Sequence, residues 1–329
     1  MAATNVEVWQ KGKVVENIEV AEGIRQLTIR QSSPAKADAG SHIDLWLDVA
    51  GEKVRRSYSI VRQSQDFLDL TIAIFRVKNS RGGSIAMHKL EVGDELDITQ
   101  PIQNFPLRFG AKKYVLLAGG IGVTALVAMA DSLKAANRDY RFVYAARSRR
   151  AQAFGSELAS IHGGRFENHI DDEGQGLDAE KLLASIDSDT ELYMCGPIRL
   201  MDAVRREWLK RELDISNLRF ETFGASGWFE PEEFVVRVTD LGLDVTVGKN
   251  ESMLDALEGA GLEVMADCRK GECGLCELRV TSINGKLDSR DVFYSEAQKA
   301  EGKKIACCVS RIASDGQKPV VEVILNSLN

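Results

Sequence analysis

Hydrophobic and polar residues alternate in short runs along the first third of the chain, at 7–9, 24–30, 43–49, 57–60, 68–74 and 95–99. Successive side chains on a strand point to opposite faces, so this period predicts strands with one buried face. Turn residues such as Ala39-Gly40 and Val92-Gly93-Asp94 separate the runs. Many short strands punctuated in this way predict an antiparallel β-barrel over residues 1–105. From 106 the pattern changes. A continuous apolar strand at 114–118 is followed by a glycine-rich turn and a helix at 124–136. Strand 141–145, helix 153–161, strand 165–169, helix 179–186 and strand 191–195 come next, and Pro197 sits in the first turn of a helix reaching about Leu213. Strand–helix alternation predicts an α/β domain with a parallel sheet over 106–224. The run 223–231 reads as a linker. Beyond it, 234–239 and 243–247 predict a hairpin, and Ser252 caps a helix ending near Gly259, with Asp255 three residues on. This third domain spans 225–329.

Composition adds exclusions. Of 329 residues, 44% are hydrophobic and 28% charged, as in a chain that buries real cores, and only 7% are aromatic. The net charge of −7 argues against a phosphate-binding face, so no nucleic-acid partner is expected. The local clusters at 55–56, 147–150 and 205–211 read first as solvated faces. The N-terminus has no apolar run suited to a signal peptide, and no window reaches the roughly 18 apolar residues of a membrane span. The expected compartment is the cytoplasm, with no membrane partner. Thiols stay reduced there, so the six cysteines are not read as three disulfides.

The most specific chemistry lies in Cys268-Arg-Lys-Gly-Glu-Cys273-Gly-Leu-Cys276. This C-x4-C-x2-C spacing is that of plant-type [2Fe–2S] loops, which use a distant fourth cysteine. The adjacent pair Cys307 and Cys308 supplies it. Gly271 and Gly274 let the loop fold around a cluster, with backbone N–H groups aimed at sulfur. Zinc is the rival, but structural zinc sites favour two close cysteine pairs.

Two further segments suggest nucleotide cofactors. Arg56-Ser57-Tyr58-Ser59 ends a strand, with a ring to cover a flavin and an arginine to meet phosphate or a flavin carbonyl. Arg81-Gly82-Gly83-Ser84 precedes a helix at 85–90, a setting for a phosphate cradle. After strand 114–118, Gly119-Gly120-Ile121-Gly122-Val123-Thr124 occupies the place of a dinucleotide loop. Cys195-Gly196-Pro197 closes another strand and opens another helix beside the same crevice. His42, His88, His162 and His169 lack metal-ligand spacing and read as structural.

Together with Phe223-Gly224-Ala225, these motifs resemble the phthalate dioxygenase reductase family over essentially the whole length. The resemblance implies an FMN-binding β-barrel (1–105), an NAD-binding α/β domain (106–224) and an α+β, β-grasp plant-type ferredoxin domain (225–329). It implies FMN rather than FAD, because Arg-Gly-Gly-Ser is similar to the family's FMN-phosphate turn. It also implies that Phe223 covers the flavin where nicotinamide approaches, and that Thr124 and Cys195 lie near the nicotinamide. Cys308 becomes the fourth ligand, since it begins the Cys-Val-Ser-Arg form usual in related ferredoxin domains. NADH is the family's usual donor. Arg147-Ser148-Arg149-Arg150 follows the second strand of the α/β domain, where arginines could accept a 2′-phosphate, so NADPH stays open. The implied path runs from nicotinamide through FMN and the cluster to a Rieske-type terminal oxygenase. A plant-type centre near roughly −400 mV reduces a Rieske centre at about −150 mV or above. The partner is expected to dock around Arg269, Lys270 and Glu272. The alternatives are an FAD reductase of the flavohaemoprotein or steroid-hydroxylase type, and a non-catalytic electron carrier.

Overall fold

The computed structural model describes residues 7–49, 51–77, 82–223 and 227–325. Strand β1 (Trp9–Ala21) turns directly into β2 (Ile24–Gln31), and β3 (Ser41–Val49) turns into β4 (Glu52–Gln63). β5 (Asp69–Phe75), helix α1 (Gly83–Lys89), β6 (Glu95–Thr99) and the short β7 (Ile102–Gln103) complete this region. The order β4-β5-β2-β1-β6-β3, closed by pairing of β3 with β4, makes a six-stranded antiparallel barrel. Closure leaves no free edge among these six strands. Val14, Leu27, Ile29, Ile43, Leu45, Leu70, Ile72 and Ile98 fill it with no exposed surface. The first strand is far longer than the expected 7–9. Its pairing with β2 shifts register between Val14 and Glu16 and again between Glu19 and Ala21, which breaks the period of two that alternation relies on.

The next region holds β8 (Lys113–Gly119), α2 (Val127–Ala135), β9 (Asp139–Ala146), α3 (Gly155–His162) and β10 (Phe166–Ile170). It ends with α4 (Ala179–Ala184), β11 (Thr190–Cys195), α5 (Ile198–Lys210) and β12 (Leu218–Glu221). All five strands are parallel, in the order β10-β9-β8-β11-β12. The helix expected from 124 begins at Val127, because 120–125 winds as a 3₁₀ turn. α5 stops at Lys210, short of Leu213.

The last region contains β13 (Phe234–Val238), β14 (Leu243–Val247), α6 (Met253–Gly259), β15 (Glu277–Asn284), β16 (Lys286–Asp288), α7 (Glu296–Glu301), β17 (Lys304–Ala306), β18 (Arg311–Ala313) and β19 (Val320–Ile324). Its main sheet runs β14-β13-β19-β15-β17, with β13 and β19 parallel, a β-grasp arrangement. β13 and β14 form the expected hairpin, and the Ser252 hydroxyl accepts from the Asp255 N–H at 3.0 Å as the cap of α6.

The chain divides into two compact units, 1–196 with 207–221, and 197–206 with 222–329. The second therefore includes the first turns of α5, where Asp202 meets Lys299 of α7 at 3.2 Å. The described part of the expected linker is anchored in this unit. The Trp228 N–H donates to Asp288 at 2.8 Å, Arg199 donates to the Trp228 carbonyl at 2.6 Å, and Arg290, paired with Asp288, donates to the Phe229 carbonyl at 3.2 Å.

Candidate cofactor sites

The barrel brings the two flavin motifs together. Register places Arg56 opposite Leu45 and Tyr58 opposite Ile43, so both lie on one face of β4. Arg56 crosses the start of α1: a Cβ on Gly83 would stand 2.7 Å from its Nε, so only glycine leaves room for the guanidinium there. The Ser84 hydroxyl accepts from the Val77 N–H at 3.2 Å. Burial pushes the Tyr58 phenol well above its ordinary range, and Arg56 nearby pulls it partly back. Ser59 is buried and donates to Glu221, at the end of β12, at 3.1 Å. Its hydroxyl therefore serves the joint between barrel and parallel sheet. Arg81 lies outside the described residues.

The order of winding reverses between β8 and β11, since the chain adds β9 and β10 on one side of β8 and β11 and β12 on the other. Dinucleotides bind at such a switch point, beyond the carboxyl ends of the strands. Both nucleotide motifs stand there. A Cβ on Gly122 would overlap the Cys195 carbonyl, and one on Gly196 would come within 2.9 Å of the Gly119 Cα. Glycine at these positions lets the two turns touch. Thr124 and Cys195 are 2% and 1% exposed, and the Thr124 hydroxyl donates to the Ile121 carbonyl at 3.0 Å. Gly120 and Pro197 complete the two turns.

Arg147 is exposed at the end of β9, and its carbonyl accepts from the Asp172 N–H at 3.1 Å. This bond brings the acidic run Asp171-Asp172-Glu173 beside the arginines. Glu173 takes Arg149 in a two-pronged pair at 2.5 and 2.8 Å. The sequence showed the arginines; their acidic counterweight comes from the following strand and needed the fold.

In the cysteine loop, the N–H groups of Lys270 and Glu272 donate to Cys268 Sγ at 3.4 Å each. Gly271 and Gly274 take φ +77° and +76°, and a Cβ on Gly274 would overlap the Phe293 ring. The thiols form two groups. Cys268 lies beside Cys273, and Cys307 and Cys308 lie beside Cys276, whose thiol pKa they lower to about 3. Cys307 and Cys308 are themselves pushed up, by Cys276 first and by burial second. Cys308 also receives the Gly271 N–H and feels the Cys268 charge, whereas Cys307 is wholly buried. Among the described residues, no three Cys, His, Asp or Glu side chains converge as on a single ion. Two thiol pairs with N–H groups aimed at sulfur fit a two-iron cluster instead.

Two family models match this chain, an oxidoreductase FAD-binding domain over residues 11–106 and a 2Fe-2S iron-sulfur cluster binding domain over 236–313. The chain is 33% identical to phthalate dioxygenase reductase of Burkholderia cepacia over 267 residues, 79% of this chain and 81% of that protein. It is 31% identical to the carnitine monooxygenase reductase subunit of Acinetobacter baumannii over 285 residues, 86% of this chain and 87% of that one. The chain belongs to the phthalate dioxygenase reductase family. A solved phthalate dioxygenase reductase structure, described as modular for electron transfer from pyridine nucleotides to [2Fe-2S], superposes with a TM-score of 0.71. That match has 30% identity and covers 96% of this chain and 98% of that one. Like other members of the phthalate dioxygenase reductase family, this chain is a flavin- and [2Fe–2S]-dependent electron-transfer oxidoreductase.

One expectation about this reductase changes with the structure. Arg269 does not present a free positive charge: it meets Glu258 at 2.6 and 3.1 Å and Asp255 at 3.3 Å, both on α6. Glu272 likewise turns its carboxylate inward, to Thr222. Beside the charged Asp267 and Arg269, the loop exposes two large apolar side chains, Leu275, 46% exposed, and Phe293, 48% exposed, the latter resting on Gly274. Among the described residues, no helix is long and apolar enough to cross a membrane.

Proposed function

We propose that this chain is the NADH-dependent reductase component of a Rieske-type oxygenase system in the cytoplasm. The cysteine loop 268–276, with the Lys270 and Glu272 N–H groups on Cys268 Sγ at 3.4 Å, carries this reading, because a cluster held there gives the electrons a one-at-a-time exit. The family's relatives serve oxygenases, and the partner is accordingly an oxygenase. The functional segments are 1–105 for flavin, 106–224 for nicotinamide and 225–329 for the cluster.

A flavin takes a hydride as an electron pair and releases single electrons, and a [2Fe–2S] centre carries one at a time. The residues supply the rest. Arg56, Tyr58, Ser59 and the turn Arg81-Gly82-Gly83-Ser84 hold a flavin with one phosphate, which supports FMN. Mass analysis of the released flavin tests this; recovered FAD overturns it. Gly119, Gly120, Gly122, Gly196 and Pro197 shape the crevice for the nicotinamide dinucleotide, with Thr124 and Cys195 at its floor. Phe223 takes the role the family resemblance gives it, covering the flavin where nicotinamide arrives. Arg147 stands beside the adenosine ribose. Glu173 opposes a 2′-phosphate there by charge, which supports NADH over NADPH. Leu275 and Phe293 offer the oxygenase an apolar contact.

Cys273→Ser separates the two halves of the path. NADH still reduces the flavin at the wild-type rate in this variant, while electron delivery to the oxygenase is lost. Undiminished delivery overturns the relay.

A further inference from the structure

The segment leaving β12 is fastened to the cysteine loop through one residue. Thr222 is 4% exposed. Its N–H donates to Glu272 Oε1 at 2.7 Å, and its hydroxyl stands 2.8 Å from the Lys270 carbonyl and 2.7 Å from Glu272 Oε1, one proton shared between two acceptors. Lys270 and Glu272 are the residues whose N–H groups point at Cys268 Sγ. A side chain 46 residues before Cys268 thus holds the two residues whose N–H groups reach this sulfur, Lys270 by its carbonyl and Glu272 by its side chain.

We propose that Thr222 is a positioning residue for the cluster, setting its potential by holding the two N–H donors on Cys268. The inference rests on reading Cys268 as a cluster ligand. Hydrogen bonds to cluster sulfurs stabilise the more negative, reduced state and raise the potential. A donor's effect depends steeply on distance and angle, so a loop free to relax loses it. The Thr222 hydroxyl acts through the Lys270 carbonyl, which lies in the peptide between the two donors, and through the Glu272 side chain.

The test uses the full-length holoprotein. Redox titration followed by electron paramagnetic resonance gives the cluster midpoint, and bleaching in excess chelator gives the rate of cluster loss. Thr222→Val lowers the midpoint, alters the g-values and speeds bleaching severalfold; Thr222→Ser matches wild type on all three. NADH-driven reduction of the flavin is unchanged in both. Glu272→Ala bleaches as fast as Thr222→Val, whereas Glu272→Gln, which keeps an acceptor oxygen, bleaches at the wild-type rate. A wild-type midpoint and spectrum in Thr222→Val overturn the proposal, as does an equal shift in Thr222→Ser. Slow bleaching of Glu272→Ala overturns it independently of whether the valine variant folds. Cys268→Ser separates the two levels: loss of the cluster upholds the ligand reading whatever Thr222 does, and retention overturns both.

Discussion

At Gly274 the backbone takes φ +76°, and the Phe293 ring lies where a Cβ would stand. An alanine there costs about 1–2 kcal/mol for the left-handed backbone and must also displace the ring. Gly274→Ala is therefore expected to yield protein with much less than one cluster per chain, measured as iron content and visible absorbance. The fourth ligand is the neighbouring question, since Cys307 and Cys308 are both packed in the core with Cys276. Cys307→Ala should keep the cluster and Cys308→Ala should lose it; the reverse result makes Cys307 the ligand. Spacing alone offered both cysteines, and the resemblance of Cys-Val-Ser-Arg to related ferredoxin domains favoured Cys308.

At the scale of elements, the turns after β8, β9 and β11 govern the nicotinamide half. Their glycines were legible because a buried strand running into glycines and a helix is a local pattern. The acidic turn after β10 was not, because its partner Arg149 lies one strand earlier in the chain and becomes a neighbour through parallel pairing of β9 with β10. An exposed pair of this kind is worth roughly 0–1 kcal/mol, so the carboxylate's main effect is repulsion of an added phosphate. Glu173→Gln is expected to raise kcat/KM for NADPH about fivefold relative to NADH, about 1 kcal/mol of discrimination. An unchanged ratio in flavin-reduction assays would assign selection to another residue. The barrel shows the opposite limit. β1 was missed beyond its first residues because two register shifts along Trp9–Ala21 interrupt alternation, although the strand pairs with both neighbours.

For the whole molecule, function depends on what the electron exit shows to its partner. Arg269, expected to do this, is paired with carboxylates of α6, and Leu275 and Phe293 are exposed apolar groups beside the loop. Leu275→Glu should slow delivery to the oxygenase at least tenfold, with wild-type NADH reduction of the flavin and an unchanged cluster spectrum. Full delivery would move the docking surface away from the loop.

The sequence by itself determined what depends on neighbours along the chain: cysteine spacing, glycine-rich turns, the change from strand period to strand–helix alternation, and the cap at Ser252. Those signals are local because a few residues fix the backbone path or the donor set. Only the tertiary structure decided the strand order that places the two nucleotide turns at a switch point, the pairing of Arg269, and the grip of Thr222 on Glu272 across 50 residues. Each of these depends on which groups packing brings within hydrogen-bond or ion-pair distance. No period or spacing records that, because buried polar groups take their partners wherever the chain returns.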